Sequence, residues 1–306
     1  MKVAIVGGSG FLGGHVAPAL IERGDRVLIL SRNPERVRER IPAGTDGLRW
    51  SVDDPAGLAA IFNDVDAVIN LAGVPVGPLP WTRGRRRAIV RSRLDPTGAI
   101  VRAIARVPPD RRPGVLVSMS GTDSYTGLDT APATEASTSS DGFLARVCLA
   151  WEAEAGRARE LGVRVVILRS GFVLARGASV MRLYALPFRL HLGGRLGDGR
   201  QWMSWIHVND LVGLVLLALD DRRVTGIVNA VAPAPARQAE VAAAIGAALH
   251  RRSWLAIPSP LLRLVMGEAS ILALGSRRVV PARAIELGFH HRWPELMVAM
   301  NEVLES

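Results

Sequence analysis

The chain has 306 residues, 49% of them hydrophobic, and its 31 glycines and 19 prolines punctuate a sequence too apolar for intrinsic disorder or a disulfide-stapled miniature. The formal net charge is +10, carried by arginine with Lys2 as the only lysine; aromatics are 5% and do not interleave with the arginine runs, which argues against a nucleic-acid partner. The single cysteine, Cys148, excludes an internal disulfide and fits a reducing, cytoplasmic compartment, while apolar runs such as Leu211 to Leu219 reach only about half of the ~20 residues that a membrane span needs.

Lys2 to Val6 reads as a fully apolar strand. It runs into Gly7-Gly-Ser9-Gly10-Phe11-Leu12-Gly13, and a helix is expected from about Phe11 to Arg23. Small residues in this place let a pyrophosphate approach backbone N–H groups at a helix N-terminus, where the dipole favours anions. Gly7 permits the tight turn, Gly10 the close approach and Gly13 the packing of helix on strand. Glycines alone form a weak signal; glycines between an apolar strand and a helix form a strong one. The start of the chain also lacks a secretory cleavage pattern.

Arg26 to Leu30 is the second strand, followed by Ser31, Arg32 and, one turn on, Arg36. A site for NAD places Asp or Glu here to accept from the ribose 2′-hydroxyl. A guanidinium instead binds a 2′-phosphate and stacks on adenine, so the expected cofactor is NADP(H). A solvated loop arginine is the alternative reading of Arg32. Asp53 and Asp54 read as caps of the next helix.

Further strands are expected at Leu48 to Val52, Asp66 to Leu71, Gly114 to Ser118 and Val163 to Leu168. Short apolar strands alternating with helices predict an α/β fold, a doubly wound parallel Rossmann sheet covered on both faces. Residues 1–171 form the NADP(H)-binding domain in this reading, with 201–230 returning to it. Residues 172–306 form a smaller C-terminal α/β substrate lobe. Thr130 to Gly142 has the composition of a loop. Arg83, Arg85, Arg86, Arg87, Arg91 and Arg93 make a dense basic run with no assigned purpose.

Val68-Ile-Asn70-Leu71-Ala72-Gly73, Trp81, Ser92-Arg93, Trp151-Glu152, Leu168-Arg-Ser-Gly171 and the long stretch Gly197 to Asp210 carry a resemblance spanning nearly the whole chain. It resembles the extended short-chain dehydrogenase/reductases, and more narrowly the group called epimerase family protein, NAD-dependent epimerase/dehydratase-like with a C-terminal domain of unknown function at about 250–306. The resemblance implies cofactor contacts from the glycine loop, from Leu71, Ala72 and Gly73, and from Gly171. It implies a small-molecule carbonyl or sugar-like substrate and a monomer or a homodimer. Arg200 and Trp202 are the expected substrate residues, and no metal is expected.

The wider superfamily uses a Tyr-x-x-x-Lys pair in which Lys lowers the Tyr pKa. This sequence cannot contain that pair: neither Tyr125 nor Tyr184 has Lys four residues later. Alignment through Trp151-Glu152 puts Leu144 and Cys148 at those places. The group's usual Gly-Tyr-Tyr-Gly stretch is altered here to Asp123-Ser-Tyr125-Thr-Gly127. The remaining catalytic candidates are the hydroxyls of Ser120 and Tyr125, with His207 as the replacement acid–base group. Each has a bland alternative: a structural hydroxyl, or a histidine capping the next helix.

Overall fold

The computed structural model describes residues 1–33, 44–77, 80–125, 128–138 and 140–305. Seven strands form the central sheet: β1 (Lys2–Val6), β2 (Arg26–Ser31), β3 (Thr45–Arg49), β4 (Ala67–Asn70), β5 (Val115–Gly121), β6 (Arg164–Ser170) and β7 (Gly226–Ala230). Their order is β7-β6-β5-β4-β1-β2-β3, and every neighbouring pair is parallel. The chain reverses its direction of winding between β1 and β4, which is where open α/β sheets bind ligands.

Alternation along each strand divides the core in two. Val3, Ile5, Ile29, Ile69 and Val117 face α1 (Gly13–Glu22) and α6 (Val208–Asp220), where Val16, Leu20, Leu211 and Leu214 cover them. Ala4, Val6, Leu28, Leu30 and Leu116 face the other side, under α2 (Pro55–Phe62) and α3 (Arg83–Arg106). Asp54 caps α2 by accepting from the Gly57 N–H at 2.9 Å. α4 (Phe143–Gly156) runs into a 3-10 turn, Arg157–Leu161, and spends Leu144, Val147 and Trp151 on contacts within the chain.

Two local readings shift. The third strand is Thr45–Arg49 instead of Leu48 to Val52, because β2 sets its register, with Leu30 opposite Leu48. Trp50 and Val52 are apolar because they pack into the core, not because they pair. The loop expected from Thr130 contains the end of a strand, Leu128–Ala133, which pairs in parallel with Arg277–Val279. Its partner lies far along the chain, so local composition carried no sign of it.

Within 201–230, β7 joins the sheet beside β6 and α6 packs on it, whereas Trp202–Met203 and Trp205–His207 pair outside it. The remaining core gathers Trp205, Phe188, Val241, Ile245 and Met300 among α5 (Ser179–Arg189), α7 (Gln238–Ala248) and the final helix Leu296–Leu304. No helix among the described residues is long and apolar enough to cross a membrane.

Candidate functional site

The glycine loop sits at the reversal point and is shaped by steric necessity. Gly7 has φ +80°, and a Cβ on it would lie 2.9 Å from the Ala72 nitrogen. A Cβ on Gly13 would lie 2.0 Å from the Gly8 carbonyl oxygen, so only glycine lets α1 start this close to β1. The Gly10 N–H closes the turn onto the Gly7 carbonyl at 3.0 Å. Gly10 and Phe11 are exposed, Ser9 and Leu12 half-buried. α1 has no side-chain cap and no acid in its first turn. Its N-terminal dipole is therefore left for an external anion.

At the end of β2, Ser31 is buried and its hydroxyl accepts from the Asn33 N–H at 3.2 Å. Arg32 is exposed and makes no ion pair among the described residues. Arg36 lies outside the described residues. Leu71, Ala72 and Gly73 follow β4 and form the facing wall, and Asn70 builds that wall from below. The Asn70 Oδ1 accepts from the Ala72 N–H at 3.2 Å, and its Nδ2 donates to Thr97 at 2.8 Å and to Ser118 at 3.3 Å. Thr97 in turn accepts from the Trp151 indole at 2.9 Å, which ties α3, α4 and the segment after β4 into one network.

Ser120, near the end of β5, and Tyr125, in the turn that follows it, stand in a second network. The Ser120 hydroxyl donates to Glu152 Oε1 at 2.6 Å. Arg169 binds the same carboxylate through two nitrogens, at 2.7 and 2.6 Å, and its guanidinium lies 4.7 Å over the Tyr125 ring. The Tyr125 hydroxyl donates to Asn229 Oδ1 at 3.2 Å, and the residue is fully buried. Burial pushes the Tyr125 phenol above its ordinary range, against the opposing pull of the Arg169 charge. Burial alone would depress Arg169, but the Glu152 carboxylate overrides it and holds the guanidinium above its usual range. Burial pushes the Cys148 thiol up to about 12, so it is a packed, unreactive group.

The other expected residues are placed apart from this network. His207 caps α6: its Nδ1 accepts from the Asn209 N–H at 3.2 Å, and its Nε2 faces Glu302 at 2.9 Å. Gly171 admits the close approach of the segment at Ser204, since a Cβ there would lie 2.4 Å from the Ser204 carbonyl oxygen. Arg200 lines a cleft of about 500 Å³ with Arg237, Arg263 and Ser276. The guanidinium groups of Arg237 and Arg278 lie over the Trp202 ring, at 3.7 and 4.7 Å from its centre. No group of three His, Cys, Asp or Glu among the described residues is placed to hold a metal.

Glu152 and Arg169 escaped the sequence reading as a functional pair. A signal was present: Arg169 ends an apolar strand and Glu152 follows Cys148 by one helical turn, and buried charges demand partners.

Comparison with known proteins accords with this geometry. Residues 3–230 match the NAD dependent epimerase/dehydratase family, and residues 257–303 match a domain of unknown function, DUF1731. The human epimerase family protein SDR39U1 is 36% identical over 308 residues, covering 99% of this chain and 100% of that protein. Epimerase family protein YfhF of Bacillus subtilis is 31% identical over 99% of this chain and 98% of that protein. The crystal structure of human SDR39U1 (isoform 2) with NADPH superposes with a TM-score of 0.87 at 35% identity, covering both chains completely. The chain thus belongs to the NAD dependent epimerase/dehydratase family and, like its relatives named epimerase family protein, is similar to them along its whole length.

Proposed function

We propose that the chain is an NADP(H)-dependent oxidoreductase or epimerase-like enzyme acting on a small polar or phosphorylated carbonyl or sugar-like substrate. In this reading residues 1–171, together with 201–230, hold the cofactor, and 172–306 form the substrate lobe. The observation that carries it is the end of β2, where Ser31 and Arg32, which has no ion pair among the described residues, stand in place of a carboxylate, beside a glycine turn in which a Cβ on Gly7 or Gly13 would collide with backbone. The solved human relative with NADPH supports the same cofactor.

NADPH, when bound, supplies the hydride. The N–H groups at the start of α1 would hold its pyrophosphate, Arg32 and Ser31 would receive the 2′-phosphate, and Leu71 to Gly73 would form the wall. Ser120, whose hydroxyl donates to Glu152 and also meets the Cys148 thiol, would accept from a substrate hydroxyl with its remaining lone pair. Tyr125, being fully buried, positions Arg169 and Asn229 and does not reach substrate. His207 acts as a helix cap in this reading. A cytoplasmic protein, monomeric or homodimeric, fits the single buried cysteine and the in-chain packing of α4.

A second reading is a catalytically weak NADP(H)-sensing protein. It is favoured by the internal satisfaction of both candidate hydroxyls. Titration with NADPH and NADH tests the shared part, with tighter NADPH binding expected and equal affinity overturning it. NADPH oxidation across a panel of carbonyl compounds then separates enzyme from sensor, with Ser120→Ala slowing turnover if the enzyme reading holds.

A further inference from the structure

Two stretches of the chain carry no Asp or Glu: the one between Glu160 and Asp198, and the one between Glu240 and Glu268. The fold brings them together, since Gly194–Leu196 pairs in parallel with Leu255–Ile257 and α5 packs on α7. Arg182, Arg189, Arg195, Arg251 and Arg252 stand exposed there. Among the described residues none of the five has an ion pair. Arg182 and Arg251 donate only to main-chain carbonyls, those of Gly177 at 2.8 Å and His250 at 3.2 Å.

The same surface is apolar. α5 turns Met181, Ala185 and Phe188 into the core. Its other side carries Leu183 and Leu186, continued by Leu190 in the turn that follows, at the three- and four-residue spacing of one helix face. Leu192 comes next, and Trp254 is fastened to this turn. Its indole N–H donates to the His191 carbonyl at 2.9 Å and its main-chain N–H to the Gly193 carbonyl at 3.1 Å. The four leucines and Trp254 are 51–63% exposed. Single exposed leucines are ordinary on a protein surface, but five large apolar side chains on one helix and the segment bonded to it mark an interaction face.

The arginines select the occupant. A second copy meeting this face across a two-fold axis would set Arg182 and Arg189 among like charges, with no acid from either stretch to offset them. An anionic lipid surface supplies the missing counter-charge. Its headgroup phosphates take the guanidinium groups, while leucines and the indole enter the boundary between headgroups and acyl chains. No helix among the described residues can cross a membrane, so the face would lie on the surface.

We propose that α5, with Leu190, Leu192 and Trp254, docks the protein reversibly on an anionic membrane surface. This stands apart from the cofactor and substrate readings. Flotation of the full chain tests it, with vesicles of phosphatidylcholine alone and of phosphatidylcholine with phosphatidylglycerol in equal parts. The variants are Arg182→Gln/Arg189→Gln and Leu183→Gln/Leu186→Gln. Arg87→Gln/Arg91→Gln, on an exposed face of α3, removes the same charge elsewhere and controls for the net charge of +10. All six side chains are exposed, so melting temperatures should hold.

Wild type should float with the anionic vesicles and not with the neutral ones. Each arginine near an anionic surface contributes roughly fivefold, so Arg182→Gln/Arg189→Gln should bind on the order of twentyfold more weakly. Loss of two inserted leucines should cost about tenfold in Leu183→Gln/Leu186→Gln. The α3 control should stay within about threefold of wild type, because charges beyond a Debye length from the membrane are screened. No anionic preference in wild type overturns the proposal, as does unchanged binding of the leucine variant. An equal loss in the control and the α5 arginine variant overturns it too, by making the binding a matter of net charge. A wild type that does not float, is dimeric by light scattering and turns monomeric in Leu183→Gln/Leu186→Gln assigns the face to a second copy and overturns it as well.

Discussion

Glu152 and Arg169 form a two-pronged ion pair, at 2.7 and 2.6 Å, with side chains only 8% and 3% exposed. The pair links α4 to β6 directly behind Ser120 and orients that hydroxyl. Removing one partner leaves the other charge buried and alone, which costs about 3–5 kcal/mol. Glu152→Ala should therefore lower denaturant-measured stability by that amount, and the double variant Glu152→Met/Arg169→Met should recover most of it. A Glu152→Ala protein as stable as wild type would show that water already solvates the pair.

Arg32→Ala addresses cofactor choice. Charge-assisted bonds to a 2′-phosphate contribute roughly 1.5–3 kcal/mol. The ratio of NADPH to NADH affinity should thus narrow by about one to two decades, read by calorimetry. The melting temperature without cofactor should not move, because Arg32 is exposed and has no ion pair among the described residues. An unchanged ratio would move 2′-phosphate recognition elsewhere.

Gly13→Ala and Gly14→Ala form a matched pair. A Cβ at Gly13 collides with the Gly8 carbonyl at 2.0 Å, whereas one at Gly14 meets nothing within 4 Å. Overpacking of this kind costs about 1–3 kcal/mol. Gly13→Ala should lose stability and NADPH affinity together as α1 is pushed off the turn. Gly14→Ala should hold or gain stability, since alanine favours a helix by roughly 0.5–1 kcal/mol over glycine. Equal behaviour of the two in thermal melts would contradict the close packing of helix on strand.

Burial holds His15 and His291 below the ordinary imidazole value of 6.5, and at His15 the neighbouring His207 adds to the effect. The unfolded chain binds these protons near 6.5 while the folded chain does not. Their contribution to stability is therefore complete above that value and is lost as pH falls through it toward the depressed folded values. The melting temperature should drop between pH 7.5 and 5.5, and His15→Gln should remove part of the drop. Identical slopes in the two proteins would exclude His15 as a source.

The local features of the chain were readable from its residues alone. β1, the glycine spacing and the missing carboxylate after β2 are contiguous signals, each the product of short-range sterics or charge, and together they dictate a parallel sheet with an anion cradle at its reversal point. The absence of Tyr-x-x-x-Lys was equally plain, being a matter of composition. What tertiary structure decided is where side chains from distant segments meet. Ser120 and Glu152 are 32 positions apart, and Tyr125 and Asn229 are 104 apart. No periodicity announces that the Ser120 proton is held on Glu152 or that Tyr125 is sealed from solvent. The arginine run shows the division most clearly. Helical spacing sends Arg83, Arg87 and Arg91 to water, but only the packing of α3 against α4 and the Gly73 wall half-buries Arg93 and gives Arg86 its partner Glu268. A counter-charge is supplied by neighbours in space, and neighbours in space are set by the fold.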